Sequence, residues 1–161
     1  MDIQPIDLAF LFRVTVETAG PPTVLDTPTG RSLWIAVSGG TVEGPAMTGV
    51  VAAAGGDWGF VPVKHDPADP DVSEYDARLV LTDPQGHNVL MRYTGLGYRR
   101  ADDGGGYSPG EAINPKSYYF RTTPRFITSA APYQPLTRMV ALATGVHRES
   151  AGPIYDVYEV R

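Results

Sequence analysis

The sequence predicts an all-β fold, a small antiparallel barrel. Turn-forming residues are spread along the whole chain, which holds 18 glycines and 15 prolines. Between them recur short stretches rich in valine, leucine and aromatic residues, the composition of strands. Windows with apolar residues at i, i+3, i+4 and i+7 over three turns are scarce, so little helix is expected.

The elements follow in order. Leu8 to Val16 forms the first strand, and Asp26-Thr27-Pro28-Thr29-Gly30 is turn chemistry before a second strand from Ser32 to Val37. Gly39-Gly40 is expected to break that strand. Met47 to Ala53 comes next, then Gly55-Gly56 and a strand from Trp58 to Val63. Lys64 to Val72, rich in proline and aspartate, reads as a loop. Tyr75 to Leu81 and Asn88 to Thr94 flank Asp83-Pro84-Gln85-Gly86, the clearest hairpin, because proline presets φ and glycine closes the turn. Gly95 to Pro115 is a long glycine-rich connection. Ser117 to Thr123, Met139 to His147 and Ile154 to Val160 complete roughly eight to ten strands. Such spacing fits a sandwich or a barrel, and a barrel of about eight strands has an interior wide enough for side chains or one small ligand. With 161 residues, no internal repeat and no sign of a second domain, residues 1–161 are expected to form one unit.

Charge and composition exclude several function classes. The net charge of −5 comes with no basic stripe, so a nucleic-acid partner is not expected. The absence of cysteine removes disulfides, thiolate nucleophiles and cysteine-based metal sites. The apolar run Leu8 to Phe12 follows Asp2 and Asp7, unlike the cationic start of a secretory signal. No stretch approaches the ~20 apolar residues that span a bilayer, so a cytoplasmic protein without a membrane partner is expected.

Familiar catalytic motifs are missing: no G-x-S-x-G elbow, no phosphate-binding Walker loop, no H-E-x-x-H. No cofactor and no metal is implied. His65, His87 and His147 match no metal spacing and are expected to face solvent, and Gly104-Gly105-Gly106 is loop material without the strand and helix of a phosphate cradle. Carboxylates, arginines and aromatics in or beside strands remain. Asp76 and Arg78 share one strand face, and Tyr75, Ala77, Leu79 and Leu81 take the other. Arg92 lies with Leu90 and Thr94, and Arg121 with Tyr119 and Thr123. Asp57 and Trp58 open a strand, and Glu43 sits in a tight segment. Two readings stay open. Asp76 and Arg78 form an exposed pair of small energetic value, or these groups face a barrel interior where a desolvated carboxyl keeps its proton near neutral pH.

Gly39-Gly40-Thr41-Val42-Glu43-Gly44-Pro45, Gly49-Val50-Val51 and Gly56-Asp57-Trp58 resemble the signature of the family catalogued as domain of unknown function 3237. Asp76-Ala77-Arg78, the stretch Tyr119 to Phe126 and Ile154 to Val160 continue that resemblance in the family's order, so that it covers the chain from about Leu8 to the end. The resemblance implies a lipocalin-like, or calycin-like, barrel. Some fungal members of that family act in natural-product pathways and close an oxygen ring by adding a hydroxyl across an alkene. By analogy, this chain is expected to be a cofactor-independent cyclase of an aromatic or polyketide-like small molecule. Asp57 or Asp76 would deliver the proton and Trp58 or Tyr119 would flank the developing cation. Arg78, Arg92 or Arg121 would orient the hydroxyl, and Glu43 would contribute to binding. The alternative is a lipocalin-like carrier that binds without catalysis, and a weaker third reading is an interaction scaffold with an exposed apolar patch. A homo-oligomer is also expected. The connections Gly97 to Pro115 and Lys64 to Val72 are longer than the family's usual ones and would reshape a pocket mouth.

Overall fold

In the computed structural model, which describes residues 3–66, 72–99 and 112–161, the described strands form one antiparallel sheet closed on itself. The strands are β1 (Leu8–Thr18), β2 (Thr23–Thr27), β3 (Gly30–Glu43), β4 (Gly49–Pro62), β5 (Ser73–Thr82), β6 (Asn88–Arg99), β7 (Tyr118–Ile127), β8 (Ala141–Arg148) and β9 (Ala151–Val160). Their order is β1-β9-β8-β7-β6-β5-β4-β3, and β1 pairs with β3 to close an eight-stranded barrel. The short β2 lies outside the ring, paired with the first residues of β3. It was not expected, because only its turn, Pro28-Thr29, carries a clear signal. The bidentate pair Arg13–Asp156, at 2.7 and 2.8 Å, ties β1 to β9 across the seam.

The two glycine pairs do not break strands as expected. They bend them. In β3 the inward positions are Ile35 and Val37 before Gly39-Gly40 and Val42 after, so the parity of the strand switches across the pair. Gly40 has φ +143° and its missing Cβ would collide with the Thr15 carbonyl oxygen, so no other residue fits this bulge without strain. Gly55, at φ +88° against the Arg78 carbonyl, marks a second bulge, inside one continuous β4.

A 3₁₀ helix, Ala131–Arg138, follows β7 and buries Leu136 in the core. At eight residues, with Pro132 and Pro135 within it, the segment is too short and too proline-rich to announce a helix through three turns of apolar pattern. The core gathers Phe12, Val14, Val89, Met91, Phe126 and Val157, all 5% exposed or less. Of the connection Gly97 to Pro115, residues 97–99 belong to β6, while 100–111, including Gly104-Gly105-Gly106, lie outside the described residues. Residues 67–71 of the segment Lys64 to Val72 lie outside them too.

The β5–β6 hairpin is locked by Asp83, which is 6% exposed. Its carboxylate accepts hydrogen bonds from the Gln85 and His87 N–H groups at 3.0 and 2.8 Å and from the Tyr133 hydroxyl at 2.8 Å, and pairs with His87 Nδ1 at 2.9 Å. Burial opposes the charge on Asp83, but the His87 and Tyr133 contacts outweigh it and hold the carboxyl at about 2. A folded-state value below the unfolded ~3.9 stabilises the protein above pH ~4, and that stability is lost as pH falls toward 2. Thermal melts between pH 2.5 and 6 are expected to show this loss in the native chain, and Asp83→Ala to lower Tm most at pH 6 and little at pH 2.5.

Candidate functional site

One end of the barrel is filled by apolar side chains, and the other encloses a cavity of about 210 Å³. It opens between the β1–β2 and β8–β9 turns, past Thr18, Gly20, Ser150 and Pro153. Beneath Thr18 and Ser150 at the mouth, its polar groups come from five strands: Asp57 of β4, Tyr75 of β5, Tyr93 of β6, His147 of β8 and Tyr155 of β9. Phe120 of β7 and Ile35, Val37, Ala77 and Leu79 supply the apolar wall. Among the described residues no arginine or lysine lines it.

The antiparallel order explains this gathering. Tyr75 and Phe120 lie near the starts of β5 and β7 and His147 near the end of β8, so these three meet toward one rim, and Tyr93 and Tyr155, midway along β6 and β9, lie buried beneath them. Asp57 faces inward because it stands opposite Ala77 on β5 and Ile35 on β3, both inward residues.

Burial pushes the Asp57 carboxyl up to about 6. The Asp76 N–H, donating to Oδ1 at 3.1 Å, draws it down, and the Asp76 charge pushes it further up. The Tyr93 and Tyr155 hydroxyls share a 2.7 Å hydrogen bond with both side chains buried, and burial raises both phenols well above their usual range. Tyr75 is pushed up to about 12, mainly by burial, and lies 3.4 Å from His147 Nε2. The His147 ring stacks on Phe120, centroids 4.5 Å apart and 11° from parallel. The cavity therefore holds neutral phenol groups beside one carboxyl poised to hold or release a proton near neutral pH.

Of the residues expected at a site, only Asp57 reaches this cavity. Asp76 and Arg78 face outward as a 3.1 Å ion pair, about half exposed, because β5 turns its apolar residues inward. Trp58, 45% exposed, sits on the outer face against Trp34 and beneath the Arg78 guanidinium. Arg92 and Arg121 are exposed on the same outer face, with Arg121 over the Tyr119 ring at 5.1 Å. Glu43 is exposed at the end of β3. Among the histidines, His65 is exposed, His87 pairs with Asp83, and His147 lines the cavity instead of facing solvent. The tyrosines Tyr75, Tyr93 and Tyr155 and the ring of His147 were missed. A signal existed: each tyrosine alternates in phase with its strand's apolar residues (Tyr75 with Leu79, Tyr93 with Met91, Tyr155 with Val157). Among the described residues no group of three histidine, aspartate or glutamate side chains is placed to hold a metal ion.

Comparison with known proteins agrees with this architecture. A UPF0311 protein of Bradyrhizobium diazoefficiens is 26% identical over 155 residues, covering 96% of this chain and 97% of the relative. A solved beta-barrel like protein of Acinetobacter baumannii is 27% identical with a TM-score of 0.81, covering 99% of both chains. An enzyme from Penicillium herquei superposes with a TM-score of 0.68 over 100% of this chain and 98% of its own, at 18% identity, a likeness of fold. The model of the family described as protein of unknown function (DUF3237) matches residues 6–160, and the chain belongs to that family.

Proposed function

We propose that the barrel is a cofactor-independent enzyme that closes an oxygen ring by intramolecular hydroalkoxylation, with Asp57 as its acid. The observation that carries this reading is a carboxyl with a pKa of about 6 inside an aromatic cavity that, among the described residues, no arginine or lysine lines. The fungal enzyme of the same fold supports a catalytic over a purely structural barrel. In this reaction the Asp57 proton passes to one alkene carbon and the substrate hydroxyl oxygen bonds the other. The hydroxyl proton then returns to the carboxylate, so substrate and product are isomers. The developing cation lies against the rings of Tyr75, Phe120 and Tyr155, whose quadrupoles attract it. The hydroxyls of Tyr93 and Tyr155 stay protonated and orient the nucleophilic oxygen. A cavity of about 210 Å³ takes one ring and its reacting alkene, given that ~150 Å³ accommodates benzene. The rest of a larger substrate projects through the mouth.

The test is incubation with ortho-alkenyl phenols in D₂O. The expected result is an isomeric cyclic ether with one deuterium on the carbon that receives the proton. Binding with every phenol recovered unchanged and undeuterated would instead mark a carrier barrel.

A further inference from the structure

We propose that the outer face of β5, β6 and β7 binds a small multivalent oxyanion, a polyphosphate or polycarboxylate, through Arg78, Arg92 and Arg125. The strand register puts Arg78 directly opposite Arg92, and Arg92 directly opposite Arg125. Adjacent strands lie about 4.8 Å apart, so three guanidinium groups stand in one row. Like charges directly opposite on a sheet destabilise it, and this row occurs in a chain whose net charge is −5.

Among the described residues, a carboxylate pairs with only one arginine of the row. Asp76 pairs with Arg78 at 3.1 Å. Among the described residues, the side chains of Arg92 and Arg125 have no hydrogen bond or ion pair, although both border a groove of about 530 Å³. Thr94 and Thr123 continue the donor surface along β6 and β7, their hydroxyls 3.3 Å apart. Trp58 holds the Arg78 guanidinium 5.4 Å above its ring and so limits its freedom. Planar forks presented side by side match carboxylate or phosphate oxygens bidentately. One anionic group would meet one or two forks, and a ligand with several would engage the row. This groove does not depend on the internal cavity, which no arginine of the described residues lines.

Thermal melts in tripolyphosphate and in citrate, each against NaCl of equal ionic strength, test the proposal on the full chain. At saturation at least one anion is expected to raise Tm by about 5 °C beyond its NaCl control. Arg92→Gln and Arg125→Gln should each remove most of that increment. Both should leave Tm in anion-free, low-salt buffer unchanged or higher, because they relieve repulsion. A response to tripolyphosphate alone assigns a phosphate ligand, and a response to citrate alone a carboxylate. No increment over NaCl with either anion overturns the proposal, as does an increment that survives in the double variant. A dimer that Arg92→Glu dissociates, with no anion effect, also overturns it and makes the row an interface between copies.

Discussion

Asp57→Asn is expected to lower turnover of a ring-closing substrate by about 10²–10⁴-fold, the usual contribution of a positioned acid. An amide keeps the shape and can still accept the Asp76 N–H, but it has no proton to give. In the proposed reaction the protonated carboxyl is the active form, so kcat of the native protein should fall as pH rises through about 6. The same group makes stability depend on pH. Its folded value of about 6 lies above the unfolded ~3.9, so the folded protein binds more protons between those limits. This contribution is fully present below pH ~4 and is lost as pH rises through 6, a difference on the order of 3 kcal/mol. Asp57→Asn should therefore be more stable than the native chain at pH 8 and show a flatter profile between pH 4 and 7. Urea unfolding at several pH values would measure it. A kcat profile that keeps its inflection near pH 6 in Asp57→Asn would assign the acid elsewhere.

Phe12→Ala should cost about 3–5 kcal/mol, a large part of the 5–15 kcal/mol that typically holds a domain folded. Phe12 is fully buried on β1, the strand that closes the barrel against both β3 and β9, and its ring meets Phe126 edge to face at 5.8 Å. Removing it opens a void at the seam, and the closed sheet around it can collapse only in part. Equilibrium unfolding measures the loss. A cost under 1 kcal/mol would mean that the seam relaxes freely.

These two residues also mark what could be foreseen. Phe12 stands in a run, Leu8 to Val16, whose composition alone announces a strand. Asp57 was picked out by its place between a glycine pair and a tryptophan and Asp76 by the strand face it shares with Arg78, and only the register separates them. Asp57 faces Ala77 across the ladder and enters the barrel. Asp76, one residue earlier on β5, points out with Arg78. Arg92 and Arg121 follow the same rule: each alternates with inward residues, Met91 and Tyr93 for the first, Phe120 and Thr122 for the second.

By itself the sequence determined the class of structure: strands from local composition, turns from glycine and proline, and a barrel through the ordered resemblance to one family. Those are short-range properties, carried by a few neighbouring residues. Only the tertiary structure decided which face of each strand is inside. A single bulge, such as the one at Gly39-Gly40, reverses the parity of everything after it, and its effect on neighbouring strands appears only once they are paired. The same pairing turned three tyrosines, a histidine and one aspartate from different strands into a cavity. It also turned three scattered arginines into a row, because antiparallel neighbours bring together residues that no sequence window contains.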